Sequence, residues 1–125
     1  MAGLERHPAV SGPVVRGFSG GGFAVDDHVY RGLLLTPRSA HEWDPPALAD
    51  LAVGHFDALL ALEPSPEFLL LGTGPGLIFP PRALTAALEE RGIGIEVMAS
   101  RTAARAWGLL RGEERWIVAA LMPLA

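Results

Sequence analysis

The chain contains no cysteine. Disulfide staples, thiolate zinc sites and thiol nucleophiles are thereby excluded, and the composition suits a reducing compartment. A surplus of positive charge is missing as well: 10 basic residues stand against 14 acidic ones, a net charge of −4. Nucleic-acid binders ordinarily carry a basic stripe, so nucleic acid is not an expected partner. No apolar run approaches the roughly 18 residues that a bilayer-crossing helix needs. The opening residues, Met1-Ala2-Gly3-Leu4-Glu5-Arg6-His7-Pro8, lack the charged-then-apolar plan of a signal peptide. These absences point to a soluble cytoplasmic protein without a direct membrane span.

What is present is apolar material. Half of the 125 residues are apolar and 19% are charged. That balance describes a globular chain, not a disordered one. A single domain of this length buries roughly two thirds of its unfolded surface, enough for a core without staples. Residues 1–12 read as a flexible tail and residues 13–125 as the domain. So much apolar content in a small domain predicts an exposed patch, the usual mark of a partner surface.

Along the chain, Pro13–Phe18 reads as a short strand, broken by Gly20-Gly21-Gly22. Phe23–Val25 and Val29–Leu35 read as strands of a hairpin turned by Asp26-Asp27-His28, the second ended by Pro37. Asp44-Pro45-Pro46 is a helix-start signal. Leu48, Leu51, Ala52, Phe56, Leu59 and Leu62 then recur at helical spacing, with Asp50 and Asp57 opposite. Leu69-Leu70-Leu71 is continuous, as in a strand buried on both faces. A helix follows Pro81 with Leu84, Ala87 and Leu88 inward, stopped by Gly92. Ile95–Met98 is the next strand. Ser100 reads as the cap of a last helix bearing Thr102, Ala103, Ala106, Trp107, Leu109 and Leu110 inside, and Trp116–Leu121 as the final strand. The order predicts one mixed α/β sheet with helices packed on it and an N-terminal hairpin covering or extending it.

Four groups of residues invite a chemical reading. Gly17-Phe18-Ser19-Gly20-Gly21 matches the G-x-S-x-G of a nucleophile elbow, but no helix start follows the serine, so a glycine-rich turn is expected. Gly72-Thr73-Gly74-Pro75-Gly76 lies at a strand's C-terminal end, where α/β proteins place ligands. Its amides suit an anion nest. It lacks the lysine of a P-loop and the third spaced glycine of a dinucleotide fingerprint, so a plain tight turn that lets strand and helix pack closely is the favoured reading. His7, His28, His41 and His55 are scattered; His41-Glu42-Trp43-Asp44 lacks the spacing of a helical zinc pair, and His55 reads as a core or interface histidine. Arg101 and Arg105, one turn apart, suit a carboxylate or phosphate, or simply a solvated face. Trp107 reads as core. Trp43, in a proline-flanked loop, and Tyr30 are the candidate partner contacts. No metal site, cofactor or catalytic residue is expected.

The wording of the chain resembles the Mth938-like proteins, the DUF498 family. The resemblance rests on Leu69-Leu70-Leu71-Gly72-Thr73-Gly74, Gly92-Ile93-Gly94-Ile95-Glu96-Val97-Met98, Thr102-Ala103-Ala104-Arg105 and Val118-Ala119-Ala120-Leu121. Gly21-Gly22-Phe23, Tyr30–Leu35 and Trp43 add to it. It implies a three-layer α/β fold, with a central mixed sheet, helices, and a hairpin layer. It implies no established catalytic residue. One mitochondrial relative is an assembly factor for respiratory complex I, and another animal relative is linked to adipocyte differentiation. Trp107-Gly108 stands where many members have Tyr-Asn, and Met98-Ala99-Ser100 where many have Met-Asp-Thr. A reaction needing either polar group is thus not expected here, whereas a scaffold role survives both changes.

Two functions remain open. The first is a non-catalytic accessory protein, a monomer or weak homo-oligomer, that binds another protein during biogenesis of a membrane or respiratory complex. The second is a small-ligand or anion-binding domain, an enzyme being one form of it, whose pocket joins Gly72, Thr73, Gly74 and Gly76 to Arg105.

Overall fold

The first elements alternate too tightly to be anything but an antiparallel sheet. In the computed structural model, which describes residues 11–125, β1 (Gly17–Ser19), β2 (Gly22–Val25) and β3 (His28–Tyr30) pair in that order. Gly20 and Gly21 take positive φ between β1 and β2, and Asp26 does so between β2 and β3. The second sheet contains β4 (Leu33–Leu35), β5 (Ala40–Glu42), β6 (Phe68–Gly72), β7 (Gly94–Met98) and β8 (Val118–Leu121), in the spatial order β5-β4-β8-β6-β7. β6 runs parallel to both β7 and β8, while β4 is antiparallel to β8 and β5. The sheet is therefore mixed, as expected.

Strand alternation explains the leucine run. Leu69 and Leu71 join one core cluster and Leu70 the other; Val118 and Ala120 part from Ala119 and Leu121 in the same way. On one face lie α1 (Asp57–Leu60) and α2 (Arg82–Glu90), which bury Leu59, Leu84 and Leu88. On the other lie α3 (Ser100–Gly112) and the small sheet, with Phe23, Val25, Ala103, Ala104 and Trp107 packed together. The hairpin expected from the sequence is this three-stranded layer. Gly92, at φ +74°, ends α2 as its position suggested.

Several elements differ from the sequence reading. Val29–Leu35 is not one strand, because the chain crosses between sheets at Arg31-Gly32. Gly32 accepts from the Trp43 N–H at 2.9 Å, and a side chain there would collide with the Trp43 carbonyl. The helix expected over 48–62 breaks into 3-10 turns at Leu48–Asp50 and Val53–Phe56 before α1. Leu51 and Ala52 are extended there, and His55 Nδ1 accepts the Ala52 N–H at 3.0 Å, so His55 is an exposed local cap and not a core histidine. Leu51, Phe56 and Leu59 still reach the core, which is why helical spacing misled. Asp44 caps nothing, since Ala47 precedes the first turn. Leu109, expected inside α3, is 74% exposed, and Arg111 is buried instead.

Of the expected tail, residues 1–10 lie outside the described residues. Ser11 and Gly12 are held against the body: the Ser11 carbonyl accepts from Arg111 Nη2 at 3.2 Å, and Gly12 abuts the Pro37 carbonyl at φ +87°.

β6 and β8 are also clasped at their N-terminal ends. Arg115 Nη2 and Nε donate to Glu67 Oε1 at 2.7 and 3.1 Å, and the Trp116 N–H donates to Oε2 at 3.2 Å. The Arg115 hydrogen bonds, then the Trp116 amide, hold the Glu67 carboxyl below its ordinary value. A depressed folded-state value stabilises the fold above the ordinary carboxylate range, and that stabilisation is lost as pH falls through the folded value. Replacing Glu67 with glutamine should therefore lower the urea midpoint at pH 7, and the gap from wild type should narrow as pH falls below the ordinary carboxylate range and through the folded value. Urea titrations of both proteins across that range check this; a gap independent of pH removes the explanation.

Candidate functional site

The residues from Gly72 to Pro81 leave the C-terminal end of β6 and return to the body as α2. Gly72 is required by closeness: a Cβ there would lie 2.7 Å from Ser100 Oγ and 2.8 Å from Ser100 Cα. Ser100, fully buried, is the first residue of α3 and not its cap; Ala99 holds that position. Its hydroxyl donates to the Met122 carbonyl and accepts the Gly74 N–H, both at 2.8 Å. The Ser100 N–H donates to the Gly74 carbonyl at 2.8 Å. One serine thus fastens the loop, the start of α3 and the exit of β8.

Thr73 is committed in the same internal way. Its hydroxyl donates to the Gly76 carbonyl at 2.6 Å and accepts the Ile78 N–H at 3.1 Å. These bonds fold the loop back on itself and turn Leu77-Ile78-Phe79 outward. The three side chains are 55%, 58% and 77% exposed. Pro80 and Pro81 follow at once, fixing φ and withholding two donors, so this apolar run cannot continue as a strand. It forms a ridge with a hollow on either side. One, of about 340 Å³, lies among Asp44, Pro46, Thr73, Gly74, Ile78 and Pro123. The other, of about 500 Å³, lies among Phe79, Pro80, Thr85, Ala86 and Val97, with Arg82 and Glu89 also in its wall.

The sequence-derived ligand set does not converge. Gly72, Thr73, Gly74 and Gly76 share the loop, but its Thr73 hydroxyl and Gly74 amide are spent on the protein itself. Arg105 lies on the other side of α3, in a separate cleft of about 160 Å³ with Val15, Arg16 and Phe18. Arg101 and Arg105 stack on the Phe18 ring, at 4.7 and 5.8 Å from its centroid, so both stand against β1. Ser19 is the exposed last residue of β1, followed by the Gly20-Gly21 turn and β2 with no helix after it, as the missing helix start foretold.

The expected partner contacts move as well. Trp43 is only 8% exposed and packs on Phe56 at 5.9 Å between ring centroids. It is a core residue, because the chain after β5 carries it under the sheet. Tyr30 is half-buried and lies against His28 at 4.6 Å, beside a polar cleft with Asp26, Arg38 and Ser39. Leu77, Ile78 and Phe79, the largest contiguous apolar exposure among the described residues, were not singled out from sequence. Their signal was present: three bulky apolar residues between a glycine and two prolines have no element in which to be buried.

Sequence and fold both match known proteins. A family model for a protein of unknown function, DUF498/DUF598, matches residues 15–122. The chain belongs to that family. An uncharacterized protein of Rhodobacter capsulatus is 34% identical over 121 residues, covering 95% of this chain and 92% of its own length. NADH dehydrogenase [ubiquinone] 1 alpha subcomplex assembly factor 3 of Danio rerio is 29% identical over 121 residues, covering 96% of this chain and 70% of that protein. A Mth938-like domain from Bordetella pertussis, solved by NMR, superposes with a TM-score of 0.80 at 24% identity, over 99% of this chain and 94% of that one. The DUF498 chain thus has the Mth938-like fold, and some of its relatives are named as assembly factors. Among the described residues, no helix is long and apolar enough to cross a membrane, and no three His, Cys, Asp or Glu side chains group as metal ligands.

Proposed function

We propose that this DUF498 protein is a non-catalytic accessory factor of the cytoplasm that grips an apolar segment of another protein during assembly of a membrane or respiratory complex. One observation carries the reading: Leu77-Ile78-Phe79 is an exposed apolar ridge held in shape by internal hydrogen bonds and two prolines. Apolar surface kept rigidly in water is costly unless a partner covers it, and contiguous exposure of this kind marks protein contacts. A pre-shaped ridge also loses little conformational entropy on binding. The assembly-factor name of the Danio rerio relative supports the direction of the reading.

The test is capture of partners from the native host in mild detergent. The wild-type protein should bring down subunits of a membrane or respiratory complex in stoichiometric amount. The triple variant Leu77→Ser, Ile78→Ser, Phe79→Ser should recover them at least tenfold less, a difference of about 1.4 kcal/mol or more in binding. Its thermal midpoint should stay close to wild type, because exposed side chains contribute little to folding. Recovery of the wild-type protein alone would sink the proposal.

A further inference from the structure

Among the described residues, β7 is an edge strand, with β6 as its single neighbour. The Gly94 N–H donates to the Glu67 carbonyl at 3.2 Å, and the Met98 carbonyl accepts the Thr73 N–H at 2.9 Å. Residues 94, 96 and 98 therefore turn their peptide groups toward β6. By the two-residue period of a strand, Ile95 and Val97 turn theirs outward, two donors and two acceptors with no strand beside them among the described residues. Natural edges are ordinarily blunted by lysine, proline, a bulge or a covering segment. β7 reads Gly-Ile-Glu-Val-Met and has none of the first two, and the whole chain contains no lysine. Its pairing with β6 is in unbroken register over all five residues, so it has no bulge.

The free edge adjoins the larger hollow. Ile95 packs with Leu84 and Leu88 of α2, which puts Ile95 and Val97 on the α2 face of the sheet. Val97 then forms one wall of the 500 Å³ groove, Thr85 and Ala86 of α2 another, and Phe79 with Pro80 its end. We infer that β7 and this groove accept an extended segment of a partner protein as a sixth strand, seating an apolar side chain between Phe79 and Val97. Strand addition of this kind draws affinity from main-chain bonds and specificity from pockets for alternate side chains. The inference rests on the accessory reading and states how the partner is held.

Charge selects the occupant. Full-length antiparallel pairing of β7 with a second copy is centred on its middle residue, Glu96. That register sets two exposed carboxylates directly opposite each other, which is destabilising. The same carboxylate favours a basic residue on the incoming strand, while Arg82 and Glu89 in the groove wall offset each other. The occupant is therefore a β-forming segment of another protein, alternating apolar residues with at least one arginine or lysine.

The test uses heptapeptides selected from a random display library against the full chain. Selected peptides should carry apolar residues two apart and a basic residue between or beside them. On peptide saturation, the amides of Ile95 and Val97 should exchange with solvent at least tenfold more slowly. Methylating alternate peptide nitrogens should weaken binding at least tenfold against the unaltered protein, a control that does not depend on any variant folding. Val97→Pro removes an outward donor at a position where an edge tolerates proline, and should weaken binding equally. The inference is overturned if no peptide is enriched, if methylation has no effect, if enriched peptides show helical spacing, or if Ile95 and Val97 are already protected in a dimer without peptide. Should the native partner be captured in a manner that depends on Leu77–Phe79 but not on Val97→Pro, strand addition fails and the accessory reading stands.

Discussion

Trp107→Ala should cost about 3–5 kcal/mol of folding stability, the range for truncating a fully buried large aromatic. Trp107 is entirely buried where α3, the three-stranded layer and the central sheet meet, in one cluster with Phe23, Val25, Leu35 and Leu121. Its indole N–H also donates to the Pro13 carbonyl at 2.8 Å, tying the start of the domain to α3. Alanine empties the space and leaves that carbonyl without its donor. A domain of this size has a total of about 5–15 kcal/mol, so the variant should approach the edge of folding at 37 °C. Trp107→Phe keeps most of the ring and loses the donor, so its cost should be nearer 1–2 kcal/mol. Urea unfolding followed by far-ultraviolet circular dichroism measures both. A loss below about 1 kcal/mol for alanine would show that the layers are not joined through this side chain.

Ser100→Ala should be the most damaging removal of a single polar atom, at about 2–4 kcal/mol. The hydroxyl serves two buried backbone groups at once, the Gly74 N–H and the Met122 carbonyl. Neither has room to reach water: Gly74 and Met122 are buried, and even a Cβ on Gly72 would lie only 2.8 Å from Ser100 Cα. Leaving a buried donor or acceptor unmet costs more than the bond it made. The change should also be local before it is global. Hydrogen exchange at the Gly74 amide should speed up well beyond the general loss of stability, while amides in the β4–β5 pair should follow only the global change. Uniform acceleration across the sheet would mean that Ser100 stabilises by packing alone. The same variant loosens the base of the Leu77–Phe79 ridge, so partner capture should weaken even where the protein stays folded.

The elements legible in the sequence are those decided by local chemistry. Leu69–Leu71, the helix after Pro81 and its stop at Gly92 follow from burial on two faces, a fixed φ and a left-handed turn. The three-layer α/β fold was legible through them and through the family resemblance. The misread positions are those where a distant atom decides. Gly32 divides two strands because the Trp43 carbonyl presses on it, eleven residues later in the chain. The 48–62 segment keeps the apolar spacing of a helix, yet His55 bonds backward to Ala52 and the chain straightens. Thr73 and Arg105 looked complementary in chemistry, but α3 turns Arg105 toward Phe18 and the loop consumes the threonine hydroxyl. Exposure of Leu77–Phe79 is a tertiary fact of the same kind: composition announces surplus apolar surface without saying where it emerges.

β8 lies between β4 and β6 at the centre of the five-stranded sheet, although it comes after both in the chain. During synthesis, β4 and β6 leave the ribosome with nothing to join them, and each offers an open edge and a leucine-rich face to the cytosol. The sheet closes only when Val118–Leu121 has cleared the exit tunnel. Folding of this protein accordingly waits on β8, which is made after both of its neighbours. Nascent chains stalled before residue 118 should be held by chaperones, whereas those stalled well beyond it should resist protease.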